Sequence, residues 1–149
     1  NYKLLNAKAQ AIIDEFGLPL SPSVHVKNIS VAYQQMVEIM KAYAREADIY
    51  CFDEPTAPLT ESEIKVLFEI IRKLKSQGKA IIYISHRLSE MFQITDRAII
   101  LKDGKFVAER CTAETNESEL VSLMVGRDIG DAFLHLNRNQ NMGETVLEL

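Results

Sequence analysis

Two adjacent carboxylates follow a short apolar run in the first half of the chain. Ile49 to Phe52 are four apolar residues in a row, too few for a helix and without the alternation of a half-buried strand. The run predicts a strand buried on both faces of a parallel sheet, and Pro55 ends it because proline cannot continue the ladder. Asp53 and Glu54 would then lie at the sheet edge where open α/β sheets bind ligands. At such an edge one carboxylate can help to hold Mg²⁺ while its neighbour polarises a water molecule.

A histidine occupies a matching place after a second apolar run. Residues 81–84 predict another buried strand, and His86 follows it after a single serine. Because the carboxyl ends of parallel strands meet at one edge, we expect His86 to lie at the same edge of the sheet as Glu54. His25 and His135 have no such context, and we interpret them as ordinary surface or core residues.

The elements that position these residues alternate between helical and extended patterns, which indicates an α/β fold. A capping box begins at Thr60, and Asp103-Gly104 is a strong hairpin signal. The expected helices lie at 2–16, from Ser30 onward, from Thr60 to Gly78, at 88–94 and from Asn116 to Gly126, and the expected strands at 49–53, 80–84, 97–102 and 105–109.

Composition narrows the class of protein. The 149 residues are 47% hydrophobic and 26% charged, typical of a globular domain with its own core. No apolar run approaches the ~20 residues that a membrane-spanning helix needs. The net charge is −4 with scattered Lys and Arg, which disfavours binding to nucleic acid. Cys51, expected inside the buried strand, and Cys111 lack metal-ligand spacing, so we expect a reduced, cytoplasmic protein.

Two segments resemble motifs of one protein family. Asp53-Glu54-Pro55-Thr56 resembles the Walker B segment of ABC transporter ATP-binding subunits, and residues 83–88 resemble their switch-histidine segment. The similarity is to the tandem-cassette subunits of bacterial importers for ribose, galactose and related monosaccharides, and it runs from about Val26 to Leu149. It implies a partial P-loop NTPase (ABC ATPase) domain with parallel strands, flanking helices, a C-terminal β-hairpin and part of the helical subdomain, without the Walker A half.

The resemblance also implies roles in binding and hydrolysing ATP. Asp53 would contact Mg²⁺ through water, Glu54 would orient or deprotonate the hydrolytic water, and His86 would sense the γ-phosphate. Ser30 aligns with the signature serine and could donate a hydrogen bond to a γ-phosphate. Thr60 falls where the family has its D-loop, although a simple turn and helix cap explains it nearly as well.

The signature-like segment departs from the family at two positions besides Ile29, which stands where relatives commonly have leucine. Relatives commonly have Leu-Ser-Val-Gly-Gln where this chain has Ile-Ser-Val-Ala-Tyr, so that Ala32 replaces a glycine and Tyr33 replaces a glutamine. Glycine permits close approach of the backbone to phosphate, which the methyl group of Ala32 hinders. We therefore expect the composite ATP site that uses this signature to be weakened or inactive.

The resemblance divides the chain into four parts. Residues 1–46 correspond to part of the helical subdomain, 47–126 to the C-terminal part of the ATPase core, 127–143 to a linker, and 144–149 to the first strand of a second cassette. The partners implied are that second cassette, integral-membrane permease subunits and a periplasmic or lipoprotein sugar-binding protein. The implied location is the inner face of the cell membrane.

One motif of the family does not occur in these 149 residues. Without the sequence Gly-x-x-x-x-Gly-Lys-Ser/Thr, the chain alone is expected to bind MgATP weakly or not at all. We also expect it to self-associate through uncovered sheet edges and apolar faces. Three alternatives stay open: a non-hydrolytic regulatory or interaction half-cassette, a nucleoside-type or autoinducer-type importer ATPase, and a soluble ABC ATPase of DNA repair or translation.

Overall fold

A computed structural model describes residues 2–126 of the chain. The predicted linker at 127–143 and the predicted strand at 144–149 lie outside the described residues. The chain separates into two compact units, Asn1–Thr95 and Asp96–Leu149. Among the helices of residues 2–126, none has the length and apolar character needed to cross a membrane.

The first unit contains a parallel pair of strands among helices, as the sequence predicts. Strand β1 pairs with β2 in a register that runs from Ile49–Ala80 to Asp53–Ile84. In chain order the elements are α1 (Tyr2–Glu15), a 3₁₀ turn (Val26–Asn28), α2 (Val31–Tyr43), β1 (Ile49–Asp53), α3 (Glu61–Ser76), β2 (Ala80–Ile84) and α4 (Leu88–Ile94).

The core of this unit lies on one face of the two strands. Tyr50 and Phe52 are buried and belong to one cluster with apolar side chains of all four helices, including Ile13, Met36 and Leu67. The burial of these two side chains anchors β1, because their apolar area is removed from water.

The opposite face of the strands is exposed, which corrects three predictions: that β1 is buried on both faces, that β2 is a buried strand, and that Cys51 is buried. The strand β1 was expected to be buried on both faces, but its residues alternate between exposed and buried. The side chain of Cys51 is exposed rather than buried, and Ile82 in the neighbouring strand is 52% exposed. The reason is that successive side chains of a strand point to opposite faces, and the core cluster described above covers only one of them.

The second unit, as far as it is described, is a β-hairpin followed by a helix. Strands β3 (Arg97–Lys102) and β4 (Lys105–Cys111) pair antiparallel, and β4 extends two residues beyond the predicted strand. Asp103 and Gly104 both have positive φ, 50° and 72°, as the predicted tight hairpin turn requires. A 3₁₀ turn (Thr112–Glu114) then leads to α5 (Glu117–Val125).

The N-terminus of α3 carries the predicted capping box. The Thr60 Oγ1 atom accepts a hydrogen bond from the Glu63 backbone N–H, and the Glu63 carboxylate accepts one from the Thr60 N–H at 2.8 Å. These two bonds satisfy backbone donors that have no partner inside the helix. The cap therefore fixes where α3 begins, directly after the segment that carries the candidate carboxylates.

We predict that Thr60→Ala lowers the free energy of unfolding by about 1 kcal/mol, because it removes the side-chain acceptor of the cap. Thr60→Ser is the matched control, since serine keeps the hydroxyl group and should stay close to the parent chain. Urea unfolding followed by circular dichroism measures both variants. Equal midpoints for the alanine and serine variants would show that the cap does not stabilise α3.

Candidate functional site

The parallel pairing brings the carboxyl ends of β1 and β2 side by side. Asp53 is the register partner of Ile84, so both strands end at the same level of the sheet. The ladder continues one residue further, because the Glu54 N–H donates to the Ile84 carbonyl at 2.9 Å. The chain segments that leave the two strands are therefore held next to each other, and they carry the predicted site residues.

Glu54 and His86 lie at one edge of the sheet, as the sequence predicts, and the structure brings them into direct contact. The Glu54 Oε1 atom accepts a hydrogen bond from the His86 backbone N–H at 3.1 Å and lies 2.9 Å from His86 Nδ1. Both side chains reach solvent, with 37% of the Glu54 side chain and 72% of the His86 side chain exposed. This contact occupies Nδ1, so Nε2 is the ring nitrogen that can meet a ligand.

The backbone of Glu54 adopts an unusual conformation. Its φ is +45°, in the left-handed region that favours glycine. A side chain there costs roughly 1–2 kcal/mol because Cβ approaches the following carbonyl oxygen. Strain of this kind concentrates at functional sites, where the surrounding structure holds it in place. Here it turns the chain sharply after β1, so that the Glu54 carboxylate reaches the loop after β2.

Asp53, the predicted metal-contacting residue, is the last residue of β1 and is exposed. Side chains alternate along a strand, so Asp53 lies on the same face as Ile49 and Cys51, opposite to Phe52. Its carboxylate is accessible to ligands at the strand end. Within residues 2–126, no group of three or more His, Cys, Asp or Glu side chains is arranged to hold a metal ion.

Ser30 caps α2, and Ala32 lies in the first turn of that helix. The Ser30 Oγ accepts a hydrogen bond from the Tyr33 N–H at 3.3 Å. The Gln34 side chain donates to the carbonyl of Ile29 at 3.1 Å, which holds the loop before the cap. Ser30 therefore begins the helix that the sequence predicts from this residue onward, and its hydroxyl lies at the positive end of the α2 dipole.

The structure does not join all the predicted site residues into one cluster. Glu54 and His86 meet, and Asp53 adjoins them in sequence. No hydrogen bond among residues 2–126 joins Ser30, Ala32 or Thr60 to either member of the pair. The Thr60 hydroxyl instead donates to the Glu63 carboxylate at 2.8 Å.

A buried carboxylate that bonds to the loops after β1 and β2 was not predicted from the sequence. Only 5% of the Glu90 side chain is exposed, and its Oε2 accepts hydrogen bonds from the hydroxyl groups of Thr56, Tyr83 and Ser85. Burial, together with the bond to Glu90, raises the pKa of Tyr83 far above its usual range. A glutamate in a short helix normally indicates an exposed position. The available signal was the group of hydroxyl residues near the ends of both apolar runs.

The fold is that of an ABC ATPase domain. A solved structure of an ATP binding subunit of an ABC transporter matches with a TM-score of 0.69 and 24% identity, over 77% of this chain and 52% of that chain. Residues 4–57 match the family model described as ABC transporter.

Two relatives extend the match to most of the chain. One, from Burkholderia ambifaria, is named as a ribose/galactose/methyl galactoside import ATP-binding protein and is 48% identical over 133 residues, 89% of this chain. The other is the ribose import ATP-binding protein RbsA 3 of Rubrobacter xylanophilus, 44% identical over all 149 residues. The chain spans 26% and 30% of the lengths of these two proteins. It is therefore a homologue of the ATP-binding proteins of the ABC transporter family.

The left-handed backbone conformation of Glu54 can be tested without a ligand. Glu54→Gly and Glu54→Ala both remove the carboxylate, but only glycine adopts φ of +45° without strain. We predict that the glycine variant is more stable than the alanine variant by about 1 kcal/mol, the reverse of the usual order. Chemical denaturation of the two variants measures the difference, and an alanine variant of equal or greater stability would contradict the strained turn.

Proposed function

We propose that this chain supplies the hydrolytic carboxylate and the γ-phosphate sensor of an ATP-hydrolysing transport subunit. The observation that carries the proposal is the contact between Glu54 and His86 at the carboxyl edge of a parallel strand pair. This is the edge at which open α/β sheets bind their ligands. Both side chains are accessible there to a nucleotide and to water.

The geometry favours different tasks for the two side chains. Both contacts of Glu54 with His86 use Oε1, and no hydrogen bond among residues 2–126 uses Oε2. Glu54 can therefore orient a water molecule through Oε2 and accept its proton as that water attacks phosphorus. His86 would present Nε2 to the γ-phosphate and stabilise the charge that develops on it. Because the contact joins the two side chains, binding at His86 also fixes Glu54.

The residues at the end of β1 are also compatible with Mg²⁺. This ion prefers oxygen ligands and commonly binds through one or two carboxylates together with substrate phosphates. Asp53 and Glu54 provide adjacent carboxylates at an accessible strand end. In the proposed site Asp53 would help to hold Mg²⁺ through water, and the ion would neutralise charge on the phosphates.

The signature-like segment would serve the ATP of a second cassette. The Ser30 hydroxyl at the N-terminus of α2 is in a suitable place to bind a phosphate oxygen. Ala32 and Tyr33 would weaken that binding, because they add bulk where relatives commonly have glycine and glutamine. The bonds of Thr60 within its own capping box support a structural role for this residue more than contact with nucleotide.

The names of the relatives support a proposal for the transported substrate and the partners. The two proteins compared above are named for the import of ribose, galactose and methyl galactoside, or of ribose. We infer that the full-length protein couples ATP hydrolysis to uptake of a monosaccharide at the inner face of the membrane, together with permease subunits and a sugar-binding protein. Residues 1–46 and 47–126 would be parts of its helical subdomain and ATPase core, followed by a linker at 127–143 and a second cassette from 144.

In the full-length protein, we predict that Glu54→Gln lowers kcat for ATP hydrolysis by about 10²–10⁴-fold, the contribution typical of a general base. Affinity for ATP should stay within a few-fold, because glutamine keeps the size of the side chain and a hydrogen-bond acceptor. Phosphate-release and nucleotide-binding assays measure the two quantities.

Glu69→Gln is the matched control, since it makes the same change on the exposed side of α3 and should leave turnover unchanged. Turnover of Glu54→Gln equal to that of the control would contradict the proposed function.

A further inference from the structure

We propose that Glu90 is a positioning residue that holds Glu54 and His86 in register for ATP hydrolysis. This inference rests on the proposed function for the chemical role of the pair. The arrangement itself rests on the contacts of a buried carboxylate with the two chain segments that carry the pair. Glu90 does not touch the reacting atoms in this account. It acts through the loops that follow β1 and β2.

The first observation is that one carboxylate oxygen connects both loops. Glu90 Oε2 accepts hydrogen bonds from the hydroxyl of Thr56 at 3.0 Å, of Tyr83 at 2.7 Å and of Ser85 at 3.2 Å. Thr56 lies two residues after Glu54, and Ser85 lies directly before His86. The same oxygen atom therefore holds a residue that lies within two positions of each member of the pair.

The second observation is that Glu90 also constrains the turn that contains His86. The Ser85 hydroxyl, which donates to Glu90, accepts a hydrogen bond from the Arg87 N–H at 3.0 Å. The Arg87 guanidinium lies 3.4 Å from Glu90 Oε1. Both sequence neighbours of His86 are thus bonded to one side chain. The His86 N–H between them can then keep its direction toward Glu54 Oε1.

The burial of Glu90 indicates why a carboxylate is required at this position. Thr56 is fully buried and Glu90 is almost so, and a buried carboxylate is costly unless several donors bind it. Three hydroxyl donors and a guanidinium match an ionised carboxylate, which only accepts hydrogen bonds. A glutamine of the same shape that keeps its oxygen on the hydroxyls turns its NH₂ group toward the Arg87 guanidinium, which has no acceptor, and loses that bond. In the opposite orientation its two N–H groups can bond at most two of the three hydroxyls. The connection is therefore weakened in either orientation, while the packing volume is kept.

The test compares Glu90→Gln with Glu69→Gln in the full-length protein, with two readouts. We expect Glu90→Gln to lower kcat by about tenfold or more while KM for ATP changes less than threefold, because misplacing catalytic groups by about 1 Å can cost 10²-fold in rate. In the nucleotide-free protein, hydrogen exchange of the His86 amide should become about tenfold faster, whereas the amides of the α3 core, residues 64–71, should keep their rates. Millisecond hydrogen-exchange mass spectrometry of peptides that cover residues 84–88 and 64–71 measures this.

An unchanged exchange rate of the His86 amide in Glu90→Gln would overturn the proposal. An equal increase in the exchange rates of the α3 amides would also overturn it, because that result shows a general loss of stability. If Glu90→Gln does not fold, Thr56→Val and Ser85→Ala each remove one donor and are expected to give the same local effect. Exchange does not depend on ATP chemistry. The two proposals can therefore fail separately. If Glu90→Gln exchanges faster at the His86 amide but Glu54→Gln keeps the kcat of the parent protein, the proposed function is overturned while the positioning of the pair by Glu90 is supported.

Discussion

The parallel pairing of β1 with β2 is the constraint on which the site depends. Its register places Asp53 opposite Ile84, and one further backbone bond holds Glu54 to the end of β2. The pairing is anchored by Tyr50 and Phe52, which are buried in the core of the first unit. A shift of one residue would move this apolar pair to the exposed face, so the hydrophobic core also fixes the position of the site.

The two carboxylates of the proposed site have different surroundings, and these suit different roles. The Glu54 carboxylate remains accessible, and within residues 2–126 its hydrogen bonds are to the His86 backbone and imidazole, which leaves it able to meet water. Glu90 is buried, and its Oε2 atom accepts hydrogen bonds from the hydroxyl groups of Thr56, Tyr83 and Ser85. An accessible carboxylate can exchange partners during a reaction, whereas a buried one with all its partners in place stabilises a single arrangement. In the proposed site Glu54 would therefore react, while Glu90 would hold the neighbouring residues in place.

Features set by neighbouring residues could be predicted from the sequence. The capping box at Thr60 and the turn at Asp103 and Gly104 were correct because their bonds lie within a few residues. The placement of Glu54 and His86 at one edge followed from the rule for parallel strands, whereas their direct contact is known only from the structure. The exposure of Cys51 and the burial of Glu90 could not be predicted, because each depends on segments that come together only in the fold. The chemical roles of the site residues came from the resemblance to a family.

The central claim is that Glu54 and His86 work as one unit. Single-turnover ATP hydrolysis by the full-length protein, measured for Glu54→Gln, His86→Ala and the double variant, tests it most directly. Residues that act as a unit show strongly non-additive losses. We expect the double variant to hydrolyse ATP about as slowly as the slower of the two single variants. A double variant whose loss equals the product of the two single losses would show that the two side chains act independently, and would contradict the account.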